Sequence, residues 1–137
     1  MLSNKRIAVA ILNYNGTELL KKFLPSVVKH SDKKLSRMFV IDNNSNDESV
    51  IFISKSYPEI EIVKNDKNYG YAGGYNEGLK NIDSDYFVLL NNDVEVTKNW
   101  LNPMFELLES DETFATCQPK IKYFKNKKLF DYAGGAG

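Results

Sequence analysis

The chain has 137 residues, of which 42% are hydrophobic and 26% charged, the composition of one ordinary globular domain with a single core. Eighteen basic residues balance eighteen acidic ones, so the chain as a whole has no electrostatic pull toward nucleic acid or an anionic membrane. A lone cysteine, Cys117, excludes an internal disulfide and reads as a buried structural thiol in a reducing compartment.

Short β-branched runs alternate with helical patterns along the chain. "RIAVAIL" (6–12) predicts a first strand. "GTELLKKFLPSVVKHS" then places Leu19, Leu20, Phe23, Leu24, Val27 and Val28 on one helical face. Asn15 and Glu18 predict its capped start, and Pro25 predicts a kink or a split. "SRMFVID" (36–42) predicts the second strand. Ser45 and Glu48 make an S-x-x-E capping box ahead of "SVIFISKSY", which Pro58 ends.

"EIEIVKN" (59–65) alternates like a partly exposed third strand. "GGYNEGLKNI" predicts a short third helix, and "DYFVLLN" (85–91) a fourth strand. Leu101, Met104, Phe105, Leu107 and Leu108 recur at helical spacing with Pro103 in the first turn, and Trp100 joins their apolar stripe. "TFATCQPKI" (113–121) predicts a fifth strand. The lysine-rich "KIKYFKNKKLF" (120–130) predicts a solvated hairpin. His30, the only histidine, follows a helix and is assigned no catalytic role.

This alternation predicts an α/β fold, a mostly parallel sheet with helices on both faces. In such sheets ligands bind beyond the carboxyl ends of the strands. Three strands finish in polar clusters there: Asn13-Tyr14-Asn15-Gly16, Asp42 to Asp47, and Asn91-Asn92-Asp93. Turn-forming and capping duties account for Asn15, Ser45 and Asn46 as well as ligand binding does. They do not account for Asn91 to Asp93, because "VEV" follows and no helix start needs a cap. A carboxylate held at that edge suggests a hard-cation or polar-ligand site. The glycines of "NYGYAGGYNEG" (68–78) suit either an anion at a helix start or tight helix packing.

"ILNYNG", "VIDNNSNDES", "NYGYAGGYNEGL" and "FVLLNNDVEV…WL" stand in the order seen in family 2 glycosyltransferases. The whole chain resembles the first, Rossmann-like part of their GT-A nucleotide-sugar-binding domain, and among them the rhamnosyltransferase type. The resemblance implies one such domain over 1–137, incomplete at its C-terminus. It implies that the loop at Leu12 and Asn13 touches the nucleotide base and that Asp42 receives the uracil or ribose. Asn68, Gly73 and Asn76 would line the sugar-nucleotide side. Asn91 and Asn92 would flank the donor, with Asp93 facing a divalent metal, Mg²⁺ or Mn²⁺. Two of the three positions of this "DXD"-type triplet are amides, so one protein carboxylate would share the ion with diphosphate oxygens and water.

The implied partners are a nucleoside-diphosphate sugar and a glycan or lipid-linked acceptor, with no nucleic acid. The implied catalytic base lies beyond Gly137. A non-catalytic nucleotide-binding module is the alternative reading, and a phosphoacceptor-type signalling domain fits less well because "CQPKI" supplies its lysine poorly. No run approaches the ~18 apolar residues of a membrane span, and no secretory signal is evident. The expected location is cytoplasmic, with membrane association only through segments outside this sequence.

Overall fold

The computed structural model describes residues 6–132. Four parallel strands form the main sheet: β1 (Ile7–Asn13), β2 (Ser36–Asp42), β3 (Glu61–Lys64) and β4 (Tyr86–Asn91). Their order is β3-β2-β1-β4. Helices α1 (Thr17–His30), α2 (Ser49–Ser56) and α3 (Gly70–Leu79) make the crossovers, and α4 (Asn102–Ser110) follows β4. The α/β architecture with a mostly parallel sheet is therefore as the sequence predicts.

Side chains alternate across a strand, and β1 uses both of its faces. Ile7, Val9 and Ile11 join Leu20, Leu24 and Val27 of α1 and Ile53 of α2 in one core cluster. Ala8 and Ala10 join Phe39, Ile41, Tyr75 and Ile82 in the other, beneath α3. The alanines of β1 leave room on the second face, and glycines on α3 complete the approach. A Cβ on Gly78 would meet Ile41 Cγ2 at 2.4 Å, so this helix packs on the sheet at backbone distance.

Three details depart from expectation. Helix α1 is not split at Pro25 but runs from Thr17 to His30 with that proline inside it. Pro25 is on the exposed side of the helix, where water can bond the carbonyl that loses its backbone partner. Leu19 falls off the buried stripe and is 40% exposed.

The third departure is the fifth strand. Residues 113–120 form no ladder; they are exposed except for half-buried Cys117, and Pro119 lacks the donor a ladder needs. Only Ile121 of that segment is in a strand. It belongs to β5 (Ile121–Lys122), which pairs antiparallel with β6 (Phe130–Tyr132) in a separate two-stranded sheet. This is the solvated hairpin expected of the lysine-rich run. Phe124 docks it on α1, edge-on to Phe23 at a centroid distance of 5.4 Å, with the Lys22 ammonium 4.9 Å from the Phe124 ring. Trp100 precedes α4, packs half-buried against the first cluster and donates Nε1–H to Ser31 Oγ at 3.3 Å.

Among the described residues no helix is long and apolar enough to cross a membrane.

Candidate functional site at the carboxyl edge of the sheet

The parallel register sets Asn13 beside Asp42 and Leu12 beside Asn91, so the three polar clusters share one edge. Asn13 is fully buried there. Its Nδ2 donates to Ser49 Oγ at 3.0 Å, Ser45 Oγ at 3.3 Å and Asp42 Oδ1 at 3.4 Å, and its Oδ1 accepts from Asn92 Nδ2 at 3.1 Å. A buried amide is tolerable only with its groups paired in this way. Gly16 closes over the pair, since a Cβ at that position would lie 2.3 Å from Asn13 Oδ1 and 2.4 Å from Asn92 Nδ2.

Asn43 is a second buried hub. Its Nδ2 donates to Asn68 Oδ1 at 2.8 Å and the Gly70 carbonyl at 2.9 Å, and its Oδ1 accepts from Asn65 Nδ2 and the Tyr69 amide, both at 3.1 Å. Asn65 donates onward to the Gly74 carbonyl at 3.1 Å. These bonds fix the loop ahead of α3 to the ends of β2 and β3. Asn68 Oδ1 also accepts from the Gly70 amide at 2.8 Å, at the first residue of α3.

The helix starts differ from the predicted capping boxes. Neither Asn15 nor Ser45 caps a helix: Asn15 adopts φ 49° and its Oδ1 accepts from the Asn46 amide at 2.9 Å, while Ser45 Oγ accepts from the Asn15 amide at 2.9 Å. The cap is Asp47. One of its oxygens accepts from the Thr17 amide at 3.0 Å and Thr17 Oγ1 at 2.6 Å. The other accepts from the Ser49 amide at 3.0 Å and from Ser49 Oγ. Burial raises the Asp47 pKa, but these hydrogen bonds from Ser49 and Thr17 outweigh it and hold the carboxyl at about 2. The sequence signal was available, since Asp47 stands two residues before Ser49. Its reach to Thr17, 30 residues away, was not.

The residues singled out from sequence thus divide into three groups. Asn13, Asp42 and Asn92 belong to one hydrogen-bonded cluster; Asp42 is 3% exposed and also accepts from the Ser45 amide at 3.0 Å. Asn68 belongs to the Asn43 network. Leu12 and Gly73 are half-buried, and Asn76, Asn91 and Asp93 are exposed at the edge or on α3.

Two tyrosines that the sequence reading passed over link these groups. Tyr75 donates its hydroxyl to the Leu90 carbonyl at 2.8 Å and accepts from the Leu12 amide at 3.4 Å, bridging the ends of β1 and β4. Burial pushes the Tyr75 hydroxyl well above the usual tyrosine range, so it stays neutral. Tyr71, 63% exposed, packs edge-on to Tyr75 at 5.4 Å and donates to Asn91 Oδ1 at 2.9 Å. Their four-residue spacing on one helix was the legible signal. Tyr14, half exposed, follows Asn13 at the same edge.

Asp93 is an exposed carboxylate beside two amide-bearing residues. Among the described residues no three or more His, Cys, Asp or Glu side chains cluster to hold a metal. The donor set at Asp93 therefore fits a hard divalent ion only where a ligand and water fill most of the coordination shell. Glu95, next along the chain but one, is ion-paired with Lys127 of the hairpin.

The sequence matches the model of the family described as "Glycosyl transferase family 2" over residues 8–134. It is 28% identical to the uncharacterized glycosyltransferase YwdF of Bacillus subtilis, across 93% of this chain and 50% of that protein. It is 23% identical to the low-salt glycan biosynthesis hexosyltransferase Agl10 of Haloferax volcanii, across 84% of this chain and 36% of that protein. The chain thus spans half or less of the length of these relatives.

Among solved structures, S. aureus TarS 1-349 in complex with UDP-GlcNAc superposes with a TM-score of 0.68 at 19% identity, over 78% of this chain and 32% of that one. The mannosyltransferase PcManGT from Pyrobaculum calidifontis, in complex with GDP-Man and Mn²⁺, gives 0.68 at 17% identity over 88% and 35%. These likenesses establish a shared fold.

Proposed function

Because the chain belongs to glycosyl transferase family 2, we propose that its sheet edge binds a nucleoside-diphosphate sugar with a divalent metal, as the donor-binding part of an enzyme that transfers the sugar to an acceptor hydroxyl. The observation that carries this reading is the alignment of three polar strand ends in one register, Asn13 beside Asp42 and Leu12 beside Asn91. Complexes of the fold-sharing TarS with UDP-GlcNAc and of PcManGT with GDP-Man and Mn²⁺ support the ligand class.

In this reading the buried amides build the edge, and the exposed groups together with the rim of buried Asp42 meet the donor. Asn13, fixed by Ser49, Ser45 and Asp42, holds Asn92 inward. Asp42, held by the Ser45 amide, offers its remaining acceptor capacity to the base or ribose. Leu12 meets the base, and Asn68, Gly73 and Asn76 border the sugar-nucleotide side. Asn91, oriented by the Tyr71 hydroxyl, meets the ribose.

In this reading Asp93 is the carboxylate that would hold the metal. Mg²⁺ or Mn²⁺, when bound, supplies positive charge where the departing diphosphate becomes more negative. Amides rather than carboxylates at 91 and 92 keep extra negative charge away from that diphosphate. Attack by an acceptor hydroxyl opposite the leaving group inverts the sugar carbon and requires a base. The reading gives that role to none of the edge residues, and Glu95 is already paired with Lys127. The acceptor class in this reading is a glycan or a lipid-linked saccharide.

A thermal-shift screen of UDP, GDP and TDP and their sugars, with and without Mn²⁺, tests the proposal. At least one nucleotide should raise the melting temperature, and more so with Mn²⁺. A melting temperature unmoved by any of them at millimolar concentration would count against the donor site.

A further inference from the structure

Asp47 lies outside the residues that the donor reading places against a ligand, yet it is wired to them. Its carboxylate accepts from the backbone amide and the hydroxyl of both Thr17 and Ser49, the first residues of α1 and α2. Thr17 is 9% exposed and Ser49 is buried completely. Ser49 Oγ accepts in turn from Asn13 Nδ2 at 3.0 Å, and Asn13 bonds both Asp42 and Asn92. Ser49 and Asn13 therefore separate Asp47 from Asp42 and Asn92.

The loops that Asp47 joins are also laced to each other. The Asn15 amide donates to Ser45 Oγ and the Asn46 amide to Asn15 Oδ1, each at 2.9 Å. Only a carboxylate suits the junction. Four donors converge on two oxygens, and the electropositive ends of two helices meet the negative charge. An amide of the same shape would aim its own N–H groups at donors.

We propose that Asp47 is a positioning residue for the nucleotide edge: it locks the loop after β1 to the loop after β2, so that Asn13, Asp42 and Asn92 hold their places as one unit. This rests on the donor-binding reading of that edge. A simple helix cap would add stability and leave the affinity of the folded protein unchanged. A positioning residue changes both.

The test uses the 137-residue chain and its Asp47→Asn variant. Amide hydrogen exchange is read without nucleotide. Binding of UDP, GDP and TDP with Mn²⁺ is read by calorimetry at a temperature where both proteins are folded. Val27→Ala, a cavity in the α1 core away from the edge, supplies a comparison of lowered stability.

Loss of charge-assisted bonds should speed exchange by about tenfold or more at Thr17 and Ser49, and also at Asn15 and Asn46, whose amides do not bond the Asp47 carboxylate. Nucleotide affinity should fall by roughly tenfold in Asp47→Asn and stay within about twofold in Val27→Ala. Wild-type exchange at Asn15 and Asn46 would overturn the coupling. Unchanged affinity despite loosened loops would reduce Asp47 to a cap. Wild-type protein that binds none of the three nucleotides would overturn the donor-binding reading and the positioning role with it, while the exchange arm still reads whether the loops are coupled.

Discussion

The side chain of Asn92 donates to Asn13 Oδ1 at 3.1 Å, joining the middle of the Asn91-Asn92-Asp93 triplet to a buried residue 79 positions earlier. The triplet is therefore divided in its work. Asn92 turns inward and pins the end of β4 to the end of β1, while its neighbours Asn91 and Asp93 are exposed on either side. A core strand ends in these residues because one of them completes the buried network and two are left at the surface.

Asn13 should carry more stability than its size suggests. Asn13→Ala removes the acceptor of the Asn92 amide and one buried partner each of Asp42 and Ser49, which keep only the Ser45 amide and Asp47. The expected cost is about 1–3 kcal/mol, read as a lower urea midpoint with the slope retained.

Gly78→Ala should also destabilise. Its new methyl would lie 2.4 Å from Cγ2 of Ile41, which is fully buried in β2 and has nowhere to move. Overpacking of about 1–3 kcal/mol exceeds the ~1 kcal/mol that alanine gains over glycine in a helix. Urea unfolding of the variant checks the sign.

The Asp47 carboxylate has a pH signature. Its folded pKa, about 2, is below the unfolded value, so its stabilisation is complete above the unfolded value. It is lost as pH falls through the folded one. The charge-dependent part of the stability difference between wild type and Asp47→Asn should be constant from about pH 7 to 5, narrow below about 4 and vanish only below about 2. Denaturant midpoints across that series measure it.

Tyr71→Phe removes the hydroxyl that orients Asn91 and keeps the ring against Tyr75. With 63% of the residue exposed, the melting temperature should barely change. Nucleotide affinity should weaken by about two- to fivefold, the scale of one exposed hydrogen bond. Paired melting and calorimetric curves separate the two effects.

Local signals carried the fold well. "SRMFVID" reads as a buried strand because apolar residues face helices on both sides, and β2 spans the same seven residues. The shared edge followed from parallel strands alone. What depends on long-range partners did not read from sequence. Ser45 satisfies the capping-box pattern, yet the Asn15 amide takes its hydroxyl, and Asp47 supplies both caps because α1 and α2 begin side by side. Residues 113–121 have strand composition, but Pro119 and the lack of alternate burial keep most of them out of a ladder. Asn65 gave no signal, and Asn43 stood out only as a member of the Asp42 to Asp47 cluster, since an asparagine in a loop looks the same whether it turns a chain or joins two strands.

The central claim is that this edge holds a nucleoside diphosphate together with a metal at Asp93. Calorimetric titration of UDP, GDP and TDP with and without Mn²⁺, for wild type and Asp93→Asn, tests it most directly. One carboxylate is a weak metal site, so metal and nucleotide should tighten each other by the same factor, a coupling of about 1–3 kcal/mol. Asp93→Asn should remove the coupling and spare most of the metal-free affinity. A wild-type protein that binds a nucleotide equally well with and without Mn²⁺ would contradict the metal assignment, and one that binds none would contradict the donor site.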